Sequence, residues 1–264
     1  MQSKANAAPK RPYRIVTYAG MAITALWLLA YLMPAGRTIL LDVSLAFVLG
    51  LMATGLLGWA AYQGIYPRRF WGWLAAAWTA GLLGRAVWAI YEAVTAQPLP
   101  YISFADALYL ARYVLVLVAF WRCLGVPAGQ QWVSLLLLLL LSAAVVFGGF
   151  FLAVPASRQT IFWLAGAIYP ILDMGLMYVG LEARKQEPAG TLRNTLGFLT
   201  LALVAYGTAN WLNFFGQVLP FEAVTGVAQL FWPLSDILTG VAVLCLFWPA
   251  SASAPAELDD SGEN

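Results

Sequence analysis

The sequence predicts an all-α protein, a polytopic membrane helix bundle with about eight transmembrane helices. Of 264 residues, 62% are hydrophobic and only 10% charged, with a mean hydropathy of +0.78; no water-soluble core could hide that much apolar surface. Several runs stay apolar for about twenty residues, the length at which a helix crosses the hydrocarbon core. No stretch shows the alternation over roughly ten residues that marks a membrane β-barrel.

The first span is expected at 15–34, after a basic segment, 1–14, reading MQSKANAAPKRPYR. Its apolar run is long and lacks a small-residue cleavage site, so it reads as a retained anchor rather than a removed signal. Span two, 39–62, and span three, 70–94, are separated by a short loop carrying Arg68 and Arg69. Span four, 104–124, follows a polar outer linker at 95–103. Spans five and six are expected at 132–154 and 160–182. The loop ARKQEPAGTLR, 183–193, leads to span seven at 194–215, and span eight is expected at 227–248. The remainder, 249–264, is a polar, acidic tail expected to be disordered.

Basic residues set the orientation. Lys4, Lys10, Arg11, Arg14, Arg68, Arg69, Arg122, Arg184, Lys185 and Arg193 fall on one side, and only Arg37 and Arg158 lie in loops on the other. Both termini are therefore expected in the cytoplasm. Trp71, Trp73, Trp132 and Trp248 stand near span ends and read as interfacial anchors.

Absences narrow the chemistry. There is no histidine, hence no common axial ligand for haem and no imidazole for a metal or a proton relay. Lys4, Lys10 and Lys185 lie outside the apolar spans, so a retinal-type Schiff base has no amine within the bundle. No cofactor and no metal site is expected. Cys123 and Cys245 read as small buried residues near cytoplasmic helix ends. No phosphate loop, nucleophile elbow or H-E-x-x-H pair occurs. The net charge of +2 reflects the topology signal, and without a dense basic face no nucleic-acid partner is expected.

The ionisable groups inside the spans are the candidate site, because such a group at bilayer depth is costly unless paired or hydrated. The candidates are Arg85, Glu92, Asp106, Arg112, Asp173 and Asp236. At a rise of about 1.5 Å per residue, Arg112 and Asp236 lie roughly 18 Å, and Asp173 roughly 13 Å, from the cytoplasmic ends. Arg112 is thus expected to reach either aspartate. Arg85 lies about 13 Å below the outer surface and needs a carboxylate partner or a wet cavity. Glu92 and Asp106 fall within about one turn of that surface and would frame an entrance.

Two similar strings join prolines to these aspartates, YPILD at Tyr169 to Asp173 and WPLSD at Trp232 to Asp236. Pro170 frees the carbonyl of Gly166, and Pro233 that of Gln229, so a bend is expected at each. Each aspartate follows its proline by three residues, on roughly the same helical face. Tyr109, Tyr169 and Trp232, with Trp88 and Trp211, are candidates to line a cavity between the bent helices.

The spans also divide as four plus four, into half-bundles 15–130 and 131–248. QPLPY (Gln97 to Tyr101) follows Trp88 as QVLPF (Gln217 to Phe221) follows Trp211, and the offset between such matches stays near 120 to 123. An even number of spans per unit makes the expected repeat parallel.

The strings WAIYEAVTAQPLPYISFADALYLARY, YPILDMGLMYVGLEARK and LFWPLSDILTGVAVL resemble the multi-span N-terminal membrane module of bacterial signalling proteins, in which such spans precede a diguanylate cyclase or histidine kinase domain. The matching positions are Ser103, Ala105, Asp106, Tyr109, Tyr169, Pro170, Asp173 and Asp236. The resemblance implies a membrane-embedded sensory or ligand-binding role and carries over no assigned ligand. Only about sixteen residues follow span eight, too few for an output domain, so signalling would run through a separate partner in the cytoplasm or the membrane.

The expected function is therefore a non-enzymatic membrane sensor, or binder of a small apolar or amphipathic ligand, whose kinked spans shift on binding. Three alternatives stay open: a small-solute or proton-coupled transporter, an intramembrane enzyme acting on a lipid or isoprenoid through a carboxylic acid, and an accessory subunit of a membrane complex.

Overall fold

The computed structural model describes residues 10–32, 39–97, 99, 102–153, 161–218 and 222–247. The expectations for the acidic tail, for Trp248 and for the loops holding Arg37 and Arg158 lie outside the described residues. Within them the chain forms eight helices and no strand: α1 (Lys10–Leu32), α2 (Ile39–Tyr62), α3 (Arg68–Thr95), α4 (Phe104–Leu124), α5 (Gln131–Ala153), α6 (Ile161–Gln186), α7 (Thr191–Val218) and α8 (Glu222–Phe247). Among the described residues six stretches are long and apolar enough to cross a membrane: Ser44–Tyr62, Arg68–Thr95, Phe104–Leu124, Gln131–Phe151, Thr191–Gly216 and Gly226–Phe247. In α1 the apolar stretch is the shorter Thr17–Leu29. α6 carries Asp173, Glu182, Arg184 and Lys185 and is not among the six. This is the architecture of a multi-pass membrane protein.

Hydropathy locates α2 and α4 to the residue but undershoots α6 and α7 by a few residues. α6 continues past the expected apolar stretch through Arg184 and Lys185, and α7 begins before its own, at Thr191. A helix ends where its capping does, not where lipid does. At α4 the cap is visible: the Asp106 carboxylate accepts from the backbone N–H of Ser103 at 2.7 Å and from its hydroxyl at 2.9 Å, satisfying donors at the helix start. At α3 the chain stops by entering the left-handed region at Ala96, whose N–H bonds the carbonyl of Glu92. Both prolines sit within continuous helices, Pro170 in α6 and Pro233 in α8.

Six helices make a closed ring. α2 packs on α3, α3 on α4, α4 on α6, α6 on α7, α7 on α8, and α8 returns to α2. α1 lies outside against α2 and α8, and α5 lies outside against α6. One face of α5, with Leu136, Leu137, Leu140 and Leu141, is exposed, whereas Arg112, Asp173 and Asp236 are buried. Apolar outside and polar inside suits a lipid solvent.

The main core runs from Leu57 through Phe70, Trp71, Leu74, Val116 and Phe120 to Leu196 and Leu199. A smaller cluster of Val146, Phe150, Ala167, Phe214 and Val218 joins α5, α6 and α7. One anchor expectation is corrected here. Trp71 is fully buried, edge-on to Phe70, while Trp73 and Trp132 are 39% and 40% exposed. Positions two apart point to nearly opposite sides of a helix, so α3 cannot present both tryptophans to an interface.

Candidate functional site

The polar groups inside the ring form one chain of contacts. At one end Arg85 of α3 makes an ion pair with Asp236 of α8 at 2.7 Å. The other carboxylate oxygen of Asp236 accepts from the indole N–H of Trp78 at 3.2 Å. Gly50 brings α2 against this pair: a Cβ there would stand 3.4 Å from both the Arg85 and the Asp236 side chains. The aspartate is 1% exposed, and the arginine retains 21% of its side-chain surface.

Trp78 also presents a ring face to Arg112 of α4. The guanidinium carbon lies 4.4 Å from the Trp78 centroid and 3.9 Å from that of Tyr206 on α7. Arg112 is 3% exposed, and among the described residues no carboxylate lies within ion-pair distance of it. Its Nη2 is buried without a hydrogen-bond partner among the described residues. The expected pairing of Arg112 with Asp173 or Asp236 is therefore corrected: Arg85 takes Asp236, and two aromatic rings take Arg112. Depth along a helix is readable from sequence, but angular phase between helices is not. Each desolvated cation–π contact contributes about 2 kcal/mol, which offsets part of the cost of a buried charge. Gly81 permits the fit, since a Cβ there would meet Arg112 Cδ at 3.0 Å and Nη1 at 3.2 Å.

Beyond Tyr206 the chain of contacts reaches Tyr113, whose ring centroid is 6.3 Å away, edge to face. The Tyr113 hydroxyl donates to Asp173 Oδ1 at 2.7 Å. Asn210 Nδ2 donates to Asp173 Oδ2 at 2.9 Å and to the Tyr113 hydroxyl at 3.0 Å, and Asn210 Oδ1 accepts from the Trp232 indole at 3.0 Å. Asp173, 2% exposed, is thus held by neutral donors at the proline of α6. Gly207 allows α7 to close on it: a Cβ there would collide with Met177 and lie 2.9 Å from Asp173 Cβ.

A third carboxylate marks the start of α4. Besides capping that helix, Asp106 accepts from the Tyr169 hydroxyl at 2.6 Å. Tyr169 packs near Tyr109 and Tyr113, at 6.5 and 6.1 Å between ring centroids. The Tyr109 ring lies against Gly84, where a Cβ would come within 2.9 Å of it.

Of the residues the sequence singles out, Arg85, Asp106, Tyr109, Arg112, Tyr169, Asp173, Trp232 and Asp236 thus meet within the ring. Glu92 and Trp88 take no part in the contacts described, and Trp88 is exposed. Trp211 lies aside, donating to the carbonyl of Pro170 at 3.1 Å. Outside the apolar spans, Glu182 accepts from Lys185 at 2.7 Å and from Gln131 at 3.1 Å, tying α5 to α6. That hydrogen bond raises the Lys185 ammonium above its ordinary pKa.

Sequence reasoning missed Trp78, Tyr113, Tyr206 and Asn210. Asn210 carried a usable signal, an amide deep in an apolar span that must find partners. So did the four-residue spacings Tyr109/Tyr113 and Tyr206/Asn210, each of which puts two polar tips on one helix face. Trp78 carried none that separates it from an ordinary packing aromatic.

No group of three or more histidine, cysteine, aspartate or glutamate side chains among the described residues could hold a metal ion. The arrangement holds a buried guanidinium between two aromatic faces and a buried carboxylate on two neutral donors. Comparisons of the chain with family models, with curated proteins and with solved structures find no match.

Proposed function

We propose that this chain is a non-enzymatic membrane sensor or ligand-binding protein of the bacterial inner membrane, with both termini cytoplasmic and a separate partner as its output. The observation that carries the reading is the convergence of Arg85, Arg112, Asp173 and Asp236, from α3, α4, α6 and α8, on one buried contact chain. A ligand that changes one contact in that chain must redistribute the others, which sit at the prolines of α6 and α8.

A parallel repeat of four helices gives the reading its mechanical form. α3 and α7 each have 28 residues, and Arg68 to Thr191 and Thr95 to Val218 are both steps of 123. α1 and α5 each have 23 residues. Neighbour relations recur after four helices: α2 with α3 as α6 with α7, α3 with α4 as α7 with α8, and α4 with α6 as α8 with α2. Asp173 bridges to α4 at one seam between the halves, and Gly50 meets Asp236 at the other. Movement of one half on the other would be felt at both seams.

Native purification in mild detergent, with mass spectrometry of co-purifying small molecules and proteins, tests the proposal. A stoichiometric small molecule or a defined partner is expected, and a lone protein with neither would overturn it. Proton-coupled transport is a second reading, favoured by one observation: Asp173 is buried, held only by Tyr113 and Asn210, and makes no ion pair among the described residues. Uptake into proteoliposomes driven by a pH gradient and lost in Asp173→Asn would select it over sensing.

A further inference from the structure

We infer that Arg112 is the anchor of a binding site for a carboxylate monoanion, which gives the sensor reading proposed above its ligand class and rests on that reading. Ring faces of Trp78 and Tyr206 cover the guanidinium at 4.4 and 3.9 Å. A guanidinium stacked in this way has its remaining donor capacity in its own plane, as a fork of N–H groups. Nη2 belongs to that fork and has no acceptor among the described residues, although the residue is 3% exposed.

The carboxylates nearby are committed elsewhere. Asp236 is shared between Arg85 and Trp78, Asp173 between Tyr113 and Asn210, and Asp106 between Ser103 and Tyr169. A buried charged donor without an acceptor is among the most costly defects a folded interior can hold. Cation–π contacts answer the charge but leave the N–H groups unbonded.

The chemistry of the missing acceptor follows from the donor set. A planar fork whose faces are blocked matches a planar, two-oxygen acceptor entering edge-on, which is carboxylate geometry. Arg85 is paired with Asp236 and Asp173 is bonded to Tyr113 and Asn210, so Arg112 is the guanidinium without a carboxylate in contact, and a single negative charge answers it. Dianionic phosphate would leave a charge unanswered. Flanking aromatic rings favour an organic substituent over a hydrated inorganic ion.

A carboxylate can come from water or from a fatty acid in the bilayer. The test uses the full chain in lipid nanodiscs, followed by tryptophan fluorescence and thermal unfolding at fixed pH and ionic strength. Acetate or benzoate replaces chloride in one arm, and palmitate is added to the bilayer in the other. A saturable response to either arm supports the site and identifies the source.

Arg112→Lys keeps the charge but loses the fork, and raises half-saturation about tenfold or more. Arg112→Met, which replaces the charge with apolar volume, abolishes saturation while the protein still unfolds cooperatively. Arg122→Gln, at the far end of α4, leaves the response unchanged. The assignment is overturned if neither arm saturates in the wild type, as an internally hydrated guanidinium would give, or if Arg112→Lys responds like wild type. Should the arms fail while native purification yields a bound neutral molecule, the carboxylate site falls and the sensor reading stands. Should carboxylates saturate Arg112 and drive accumulation in proteoliposomes, the site stands and the sensor reading falls.

Discussion

Replacing Asp236 by asparagine preserves shape and the acceptor for Trp78 but strips Arg85 of its counter-ion. Breaking a buried ion pair costs about 3–5 kcal/mol, because the surviving charge is left uncompensated. The two survivors differ here. Arg85 retains 21% of its side-chain surface, whereas the Asp236 side chain retains none. Asp236→Asn should therefore fall near the lower figure, about 3 kcal/mol. Arg85→Gln leaves a fully buried carboxylate with the Trp78 indole at 3.2 Å, and should approach about 5 kcal/mol. The double variant replaces the pair with two amides and should recover at least about 2 kcal/mol of the summed loss, within the range seen for contacting residues. Reversible unfolding in mixed micelles, followed by tryptophan fluorescence, measures all four species. Single-variant effects that simply add, within about 0.5 kcal/mol, would refute the claim that the 2.7 Å contact holds α3 to α8.

Further consequences are open to the same assay. Gly207→Ala forces a methyl against Met177 and the Asp173 Cβ and should cost about 1–3 kcal/mol by overpacking; wild-type stability would mean α6 and α7 do not approach so closely. Tyr113→Phe leaves Asp173 Oδ1 without its donor and Asn210 without one acceptor, a loss of about 1–3 kcal/mol, and Asn210 substitutions should be non-additive with it. Trp71→Ala should cost about 3–5 kcal/mol as a fully buried truncation. Trp73→Ala, two residues on and exposed, should change stability far less, and equal effects would reverse the assignment of core and lipid faces on α3.

Much of the fold is legible in the sequence because its determinants are one-dimensional. An apolar run and its flanking charges mark a helix wherever the rest of the chain lies, and the expected bounds of α2 and α4 coincide with the observed ones. Depth is also one-dimensional, which is why Arg85, Arg112, Asp173 and Asp236 can be placed at similar levels from residue counts. Partner choice depends on rotation about each helix axis, and a shift of one residue turns a side chain by about 100°. That rotation sends Arg85 rather than Arg112 to Asp236 and buries Trp71 while exposing Trp73.

By itself the sequence determined that this chain is a helical, multi-span bundle with charges in its spans that must be paired or hydrated, since composition and run length alone decide what can remain in lipid. Only the tertiary structure decided how those charges are answered. Six helices close a ring that matches Asp236 to Arg85, Asp173 to Tyr113 and Asn210, and Arg112 to two aromatic faces. Such matches depend on a few ångströms of approach, set by Gly50, Gly81 and Gly207 on facing helices, and no local pattern in a single helix specifies them.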